Sequence, residues 1–467
     1  MINLKLFIPI SISPLILTLI YFSIGIPENN IFFITNLLIL LFSFCGMFFS
    51  PLRFYSLSKM VFIFFFVFLG LAPLVNEING IVLFGDKFNI SDKINANLII
   101  LMGLFFFSFG SYYKVNYIDR LVGSLPEIKK LNIFFIIIFI SVLLLILWRW
   151  NFDLNSLFLR GRSRDILYET QNIFNFKLDT NEFPAIDYHF FTRIIRPMPV
   201  ILLIIFYYFY KKKLEFFNHK EKLANFRLLC FLTLSSVILN LPSGIDRSQT
   251  AILYIPLLII FTRIWEKPYM MQATIFSGIF VALPMLDKFR IFKSWETFDY
   301  KINLNYLRTA HFDSYQNFVR AIEIDFISYG QQLLGALLFF VPRALWSGKP
   351  IGSGSELAMR QTEYKFGGIS MPYIGEGYVN FGIIGSCLFM LVLGIILGNL
   401  DRVAWKLKKS NKDCLFIYYY YLLFGLVFFT MRGDLINSIA FIFATTVTFW
   451  GLVVFLKFSE RLSFSKN

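Results

Sequence analysis

The chain contains few charged residues and few residues of the types that bind metal ions. Only 16% of its 467 residues are Asp, Glu, Lys or Arg, whereas a soluble domain carries about 25%. Three histidines and four cysteines are scattered along the chain, without the spacing of a zinc site or of a disulfide framework. The sequence therefore excludes a soluble protein and argues against a fold that depends on zinc or on disulfides.

Hydrophobic residues take the place of the missing charges. They make up 57% of the chain, which includes 60 phenylalanines, and the mean hydropathy is +0.65. They are concentrated in runs close to the ~20 residues that a transmembrane helix requires. We predict an all-α, polytopic membrane protein in which residues 1–467 form a single integral membrane domain.

Twelve apolar runs are predicted to span the membrane. The first has no small-residue cleavage site after it, so we expect a retained span and not a cleaved signal peptide. The predicted spans cover residues 6–25, 31–50, 60–75, 94–113, 131–148, 188–210, 228–245, 248–264, 268–286, 377–400, 414–431 and 435–456.

The distribution of Lys and Arg orients these spans, because basic loops face the cytoplasm. With both termini in the cytoplasm, the cytoplasmic segments carry 23 Lys and Arg against 8 Asp and Glu, whereas the remaining residues carry 21 of each. The entire net charge of +15 then lies on one side, where it faces anionic membrane lipid and requires no nucleic-acid partner. The predicted cytoplasmic segments are 1–5, 51–59, 114–130, 211–227, 263–267, 401–413 and 457–467.

Two predicted external loops are long enough to hold a functional site. They cover residues 149–187 and 287–376. Within the second loop, the apolar stretch 332–346 is shorter than a span, and counting it as one would move the basic segment 401–413 to the outside. We therefore predict that this stretch is a re-entrant or interfacial segment.

The external side prefers Arg to Lys. It carries 13 Arg and 8 Lys, whereas the cytoplasmic side carries 17 Lys and 6 Arg. A guanidinium can bind a phosphate with two parallel hydrogen bonds, so the bias favours an anionic substrate; headgroup anchoring and ion pairs with external carboxylates are the alternatives. The spacing of Arg193 and Arg196 predicts that they share one helix face near the outer edge of the membrane, and Arg247 lies at a similar depth.

Two neighbouring stretches resemble a known family. FFVPRALWSGKPIGSGSEL (339–357) and PYIGEGYVNFGIIGSCLFMLVLGIILG (372–398) are similar to bacterial oligosaccharide repeat-unit polymerases, the O-antigen polymerases of Wzy type. Weaker similarities surround Arg160 and Arg247, and at the second of these Asp246 departs from the family pattern. The residues that carry the resemblance are Pro342, Arg343, Trp346, Lys349, Pro350, Glu376, Tyr378, Asn380, Phe381 and Gly382.

The resemblance implies a glycosyltransferase of the bacterial inner membrane with a GT-C-like fold and two long periplasmic loops. Undecaprenyl-diphosphate-linked oligosaccharide units would arrive at the periplasmic face, where the growing glycan is transferred to a sugar hydroxyl of the incoming unit. The resemblance implies no nucleotide-sugar site and no required metal or other cofactor. A chain-length regulator and a flippase of the same pathway are the expected protein partners.

The resemblance and the external arginines together suggest site residues. Arg247 and Arg343 are expected to stabilise charge on the leaving diphosphate. Glu376, at the head of a helix, is the first candidate for the general base, and a favourable interaction with the helix dipole is its alternative role. We expect Arg160, Arg247, Arg343 and Arg360 to converge on one outward-facing cavity. Further candidates for the base are Asp246, Glu356 and His311. The expected substrate-binding residues are Arg160, Arg193, Arg196, Arg360, Lys349, Trp346, Tyr378, Asn380 and Arg432.

Three other interpretations are open. An O-antigen ligase shares the topology and typically uses a histidine as base, and His311 is the one histidine in the loop 287–376. A lipid-linked oligosaccharide flippase would show internal repeats, short external loops and polar groups within the spans, whereas the middle of every predicted span lacks ionisable residues. A purely structural membrane protein would not explain the external excess of Arg.

The charge distribution predicts that Lys408 is cytoplasmic and that residues 287–376 are external. In intact cells, a Lys408→Cys variant is expected to resist labelling by a membrane-impermeant maleimide, whereas a cysteine within 287–376 reacts. Reporter fusions at the same sites provide an independent measurement. External labelling at position 408 would contradict the twelve-span topology.

Overall fold

The computed structural model describes most of the chain, and within these residues it contains helices and no strands. The predicted span 6–25 and most of the external loop 149–187 lie outside the described part. The described residues are 28–49, 54–116, 122, 125–126, 133–150, 152, 190–290, 304–343, 345–361, 369–410 and 414–464.

The hydrophobic runs form helices, most of which are long. In chain order, the main helices are α1 (Glu28–Phe49), α2 (Leu57–Ile78), α3 (Ile90–Tyr112), α4 (Ile133–Arg149), α5 (Phe191–Lys213), α6 (His219–Leu239), α7 (Arg247–Thr262), α8 (Met270–Leu286), α9 (Ser314–Glu323), α10 (Gln331–Leu337), α11 (Ser353–Arg360), α12 (Tyr373–Lys409), α13 (Leu415–Arg432) and α14 (Leu435–Phe464). Eight of them, α1 to α3, α5, α6 and α12 to α14, are long and apolar enough to cross a membrane, and α4, α7 and α8 are shorter apolar helices.

Each predicted span within the described residues coincides with one of these apolar helices, so the all-helical, multi-pass membrane architecture is confirmed. The number of twelve spans and the GT-C-like arrangement stay predictions. The boundaries predicted for the span 228–245 are wrong, because α6 already begins at His219. There the Asn218 side chain accepts a hydrogen bond from the main-chain N–H of Glu221, whose carboxylate accepts from Asn218 N–H in return. This capping box starts the helix two turns early, within charged sequence.

Helices α3 and α12 are in backbone contact along a stripe of small residues. A Cβ atom added at Gly394 would lie 2.2 Å from Phe107 O, and one added at Gly398 would lie 2.4 Å from Ser111 O. The two glycines form a Gly-x-x-x-Gly motif, which lets membrane helices approach closely without side chains between them. The packing therefore fixes α12 against α3 over more than one turn.

Segments that the charge distribution assigns to one side of the membrane meet at one end of the bundle. The indole N–H of Trp405 donates to Tyr55 O at 2.9 Å, and the Lys408 ammonium contacts the Glu266 carboxylate at 2.9 Å. We name this the Asp401 end; it comprises residues 54–59, 111–115, 263–267 and 399–410. The segments assigned to the other side meet at the opposite end, which we name the Glu376 end; its described residues lie in 190–196, 240–247, 304–380 and 432–437.

Two consecutive residues of α12 cap two other helices at the Asp401 end. The buried Asp401 carboxylate accepts hydrogen bonds from the main-chain N–H groups of Leu57 at 2.8 Å and Ser58 at 3.1 Å, in the first turn of α2. The Arg402 guanidinium donates to Ser111 O at 2.7 Å and to Tyr113 O, where α3 ends. A negative charge thus lies at a helix N-terminus and a positive charge at a C-terminus, as the helix dipoles favour.

Helix α12 is interrupted by a chain reversal, which the sequence did not predict. Phe381 and Gly382 have non-helical backbone angles, and Gly382 has φ 64° and ψ −151°, a region that essentially only glycine occupies. Residues 373–380 therefore fold back against the following turns, so that the Ser386 hydroxyl donates to Ile374 O at 2.9 Å. The span predicted over 377–400 thus begins only after Gly382, and we name 373–380 the folded-back arm.

The described residues of the second long loop, 287–376, include the three helices α9, α10 and α11. The segment predicted to be re-entrant or interfacial contains α10, whose seven residues extend only about 10 Å and cannot cross a membrane. Phe340 is 66% exposed and Leu345 is 82% exposed, as expected for side chains in contact with lipid. The interfacial location itself stays a prediction.

An Asp401→Ala substitution should lower the free energy of unfolding by about 3 kcal/mol or more, because the buried donors at the start of α2 lose their acceptor and each unsatisfied donor costs about 1–3 kcal/mol. Lys409→Ala is the matched control, since Lys409 is exposed on the same helix and should change stability by about 0.5 kcal/mol or less. Thermal unfolding in detergent, followed by tryptophan fluorescence, measures both. Equal midpoints for the two variants would contradict this role of Asp401.

Candidate functional site

The predicted site residues that the structure describes all lie at the Glu376 end, but they do not share one set of contacts. Arg160 is outside the described residues, so its expected convergence with Arg247, Arg343 and Arg360 stays a prediction. Those three arginines have different hydrogen-bond partners on different segments.

Glu376, which was predicted to head a helix at the membrane surface, is completely buried inside the protein. The reason is the chain reversal, which packs the folded-back arm inside the protein. One carboxylate oxygen, Oε1, accepts hydrogen bonds from the Ser353 hydroxyl and, at 3.0 Å, from the Leu435 main-chain N–H. Oε2 is also buried and has no hydrogen-bond partner among the described residues. Glu376 thus connects the folded-back arm to the first residues of α11 and α14.

Asp434 lies beside Glu376 and was missed by the sequence analysis. It directly precedes α14 and accepts a hydrogen bond from the Asn437 side-chain amide at 2.7 Å. A Cβ atom added at Gly352 would lie 1.7 Å from Asp434 Oδ2, so only glycine leaves room for this carboxylate. Burial raises the pKa of Asp434, and hydrogen bonds from Asn437 and the charge of Arg193 oppose that rise. The available signal was an Asp immediately before an apolar run, which is typical of a helix N-cap.

Arg193 and Arg196 do not share a helix face. Residues Phe191–Ile195 form a π-helical turn, in which residues three apart lie further around the axis than in an α-helix. Arg193 donates to the Asn437 side chain at 2.7 Å, whereas Arg196 donates to Gly244 O at 3.1 Å and lies over the Trp150 ring. Only Arg193 therefore lies close to the carboxylates.

Arg247 contacts His311. One guanidinium N–H group of Arg247 donates to His311 Nδ1, and because a guanidinium is only a donor, the neutral imidazole must carry its proton on Nε2. Arg247, the first residue of α7, and His311, which was considered as the base of a ligase, thus form one pair. In this tautomer His311 offers a hydrogen-bond donor through Nε2, and not a proton acceptor.

Arg432 contacts a second buried carboxylate, that of Asp313. The guanidinium is 3.4 Å from Asp313 Oδ1, and the other oxygen accepts from Asn317 Nδ2 at 3.0 Å and from Ser370 N–H at 3.1 Å. Asp313 follows His311 by two residues, and Arg432 precedes Asp434 by two. This ion pair therefore holds the His311 segment beside the turn that carries Asp434.

Arg343 and Lys349 bind main-chain carbonyl groups of their own segment. Arg343 donates to Lys349 O at 2.6 Å and to Pro350 O at 3.2 Å, and the Lys349 ammonium donates to Phe339 O at 2.6 Å. Burial lowers the pKa of both groups, and the charge of Arg343 lowers the pKa of Lys349 further. In this conformation the two cations hold the turn after α10 together. Trp346, which lies between them in the sequence, is half-buried.

The remaining predicted residues mainly support the scaffold. Tyr378 is buried, and the Asn380 side chain accepts a hydrogen bond from Leu333 N–H at 2.7 Å and donates to Glu376 O at 2.9 Å. Arg360 forms an ion pair with Glu356 at 2.7 Å and is the most exposed of the charged candidates described. Asn380 thus attaches α10 to the folded-back arm.

Three arginines at this end donate to neutral acceptors: an amide for Arg193, an imidazole for Arg247 and peptide carbonyls for Arg343. Arg432 and Arg360 pair with carboxylates, and the charge of Arg193 also acts on Asp434. Hydrogen bonds to neutral acceptors orient a guanidinium, as the binding of an anion requires. In the described part of the chain, no group of three or more His, Cys, Asp or Glu side chains could hold a metal ion.

Comparison of the chain with protein-family models, with curated proteins and with solved structures gives no match.

Proposed function

We propose that this protein is a membrane glycosyltransferase that polymerises undecaprenyl-diphosphate-linked oligosaccharide units at the periplasmic face of the bacterial inner membrane, with both termini in the cytoplasm. The observation that carries the proposal is the set of oriented arginines at the Glu376 end, which belongs to segments predicted to be external. The resemblance of residues 339–357 and 372–398 to O-antigen polymerases supplies the reaction. A chain-length regulator and a flippase are the proposed partners.

The transfer joins two lipid-linked glycans. The acceptor hydroxyl oxygen bonds to the anomeric carbon of the growing glycan, while the bond from that carbon to the diphosphate oxygen breaks. The bonding electron pair leaves with undecaprenyl diphosphate, and the acceptor proton passes to a base. Negative charge therefore develops on the diphosphate and must be stabilised by donors that are already oriented.

Arg247 and His311 are suited to stabilise the leaving diphosphate. The guanidinium supplies charge and several N–H groups, and its contact with His311 Nδ1 directs the imidazole proton to Nε2, where it can donate to a phosphate oxygen. Arg343 and Lys349, which belong to the motif that resembles the polymerases, add positive charge. The protein's own side chains thus supply both the positive charge and the hydrogen-bond donors for the leaving diphosphate.

An O-antigen ligase is the second candidate, and the contact between Arg247 and His311 is the observation that favours it. A ligase would transfer the glycan to a lipid A core and not to another repeat unit, with the same leaving group. A neutral His311 that accepts from Arg247 at Nδ1 carries its proton on Nε2, and this argues against His311 as the base of either reaction. The polymerase and the ligase therefore differ in the molecule that accepts the glycan, and not in the site that binds the leaving diphosphate.

Gene deletion followed by gel analysis of surface polysaccharide tests the proposal. Loss of a polymerase leaves core carrying a single repeat unit, loss of a ligase removes surface glycan from the core, and loss of a flippase stops the units inside the cell. A complementing plasmid with the intact gene must restore the ladder of chain lengths. An unchanged ladder after deletion would refute the proposal.

An Arg247→Lys substitution is expected to reduce polymerisation about 10- to 150-fold. Lysine keeps the charge but loses the planar pair of donors, and one charge-assisted hydrogen bond made in the transition state contributes about 1.5–3 kcal/mol. The control is Lys409→Arg, which should be nearly silent because Lys409 is exposed at the Asp401 end. Lys408 is unsuitable, since its ammonium contacts Tyr55 and Glu266.

The measurement is the ladder of surface polysaccharide lengths, with the amount of protein checked by immunoblot. Arg343→Lys is assayed in parallel, since Arg343 is the other residue proposed to act at the leaving group. Normal ladders from both arginine variants would remove these side chains from the leaving-group site.

A further inference from the structure

We infer that Asp434 is the general base that takes the proton from the acceptor hydroxyl. This inference rests on the proposed function and assigns one of its steps to a residue outside the motif that resembles the polymerases. As the acceptor oxygen bonds to the anomeric carbon, its proton passes to the Asp434 carboxylate, and the electron pair of the broken bond leaves with the diphosphate. The proton then returns to water.

Accessibility separates Asp434 from Glu376 and Asp313, the two buried carboxylates of this end. A general base must reach the acceptor hydroxyl within hydrogen-bond distance. Glu376 is 0% exposed, and the Asp313 side chain is 4% exposed and accepts hydrogen bonds from Ser370 and Asn317. Asp434 is half-buried, at the tip of the turn between α13 and α14.

The neighbours of Asp434 favour proton uptake. Its hydrogen-bond donor is the neutral Asn437, whereas Glu356 is paired with the Arg360 guanidinium. A second carboxyl group, that of Glu376, lies beside it. Burial raises the pKa of Asp434 and so favours proton uptake, while the charge of Arg193 opposes it.

The position of Asp434 also fits the leaving-group site. Arg432, two residues earlier, contacts Asp313, which lies two residues after His311. The turn that carries the base is thus held beside the segment that carries the Arg247–His311 pair. Gly352 completes the arrangement, because any larger residue there would displace the Asp434 carboxylate.

The decisive variant is Asp434→Asn, because asparagine separates a structural role from a chemical one. Asn caps helices about as well as Asp, so a residue that only starts α14 would tolerate the change. A general base would not, and we expect turnover to fall about 10²- to 10⁴-fold with an unchanged thermal unfolding midpoint. Asp86→Asn is the matched control and should keep full activity, because the Asp86 carboxylate is exposed and only its main-chain oxygen contacts Arg320 of this end.

The assay uses the purified full-length protein with lipid-diphosphate-linked repeat units extracted from the deletion strain. Ladder formation and released undecaprenyl diphosphate are both measured as a function of pH. The wild-type rate should fall as the pH is lowered and Asp434 becomes protonated, Asp434→Glu should shift this acidic limb, and the residual rate of Asp434→Asn should lack it. The ionisable groups whose charges act together with that of Asp434 are Glu376 and Arg193.

The two proposals fail in different ways. If wild-type protein forms a ladder and Asp434→Asn keeps its turnover within about threefold, the base assignment is overturned while the polymerase proposal stands. The assignment is likewise overturned if Glu376→Gln removes the acidic limb and Asp434→Asn does not. If wild-type protein forms no ladder from these units, the polymerase proposal fails, and the base assignment fails with it.

Discussion

The ends of membrane helices leave main-chain N–H and C=O groups without partners inside the helix, and this protein supplies them from side chains of other helices. Asp401 accepts from the first N–H groups of α2, while the next residue, Arg402, donates to the last C=O groups of α3. One helix therefore holds two neighbours by charges of opposite sign. Because Gly394 and Gly398 already bring α12 into backbone contact with α3, an axial shift of α2 or α3 would break both the caps and the packing.

The opposite end uses the same principle with a different consequence. Two carboxylates from separate segments, Asp434 and Glu376, meet at the start of α14, and Glu376 brings the folded-back arm with it. The positive end of the α14 dipole stabilises negative charge here, while burial and mutual repulsion oppose it. In such a pair the more exposed carboxylate is the one that stays ionised. It lies where it can readily accept a proton. A helix cap can thus also serve as a base.

The sequence predicted the helices well because hydrophobic runs of spanning length depend on local composition alone. The placement of basic segments at a common end followed from charge counts, again without knowledge of contacts. The reversal at Gly382 was not predictable in this way, because its strained backbone is stabilised by contacts with distant segments, such as the hydrogen bond between Asn380 and Leu333. For the same reason the sequence did not show that Glu376 is buried, since a distant residue, Leu435, contacts it.

The sequence predicted which types of residue form the site and at which end of the bundle they lie. It did not predict which side chains contact each other. Arg193 and Arg196 illustrate the limit, because a π-helical turn changes which face each occupies, and no local signal marks such a turn. Asp434 had a local signal as a helix cap, yet its relation to Glu376 depends on a contact between segments 58 residues apart. Sequence reasoning therefore finds the charges, whereas only the fold shows which charges face each other.

Orientation of the arginines has a further physical consequence for an anionic lipid substrate. A guanidinium held by a peptide carbonyl or an amide has already lost much of its side-chain freedom, so binding a diphosphate costs less conformational entropy than ordering a free chain would. Arg343, with two carbonyl acceptors in its own turn, and Arg193, held by Asn437, are of this kind. The acceptors of these bonds are neutral, although the charge of Arg193 also acts on Asp434. An end built from neutral acceptors and oriented cations can therefore attract a diphosphate while a separate carboxylate stays available to accept a proton.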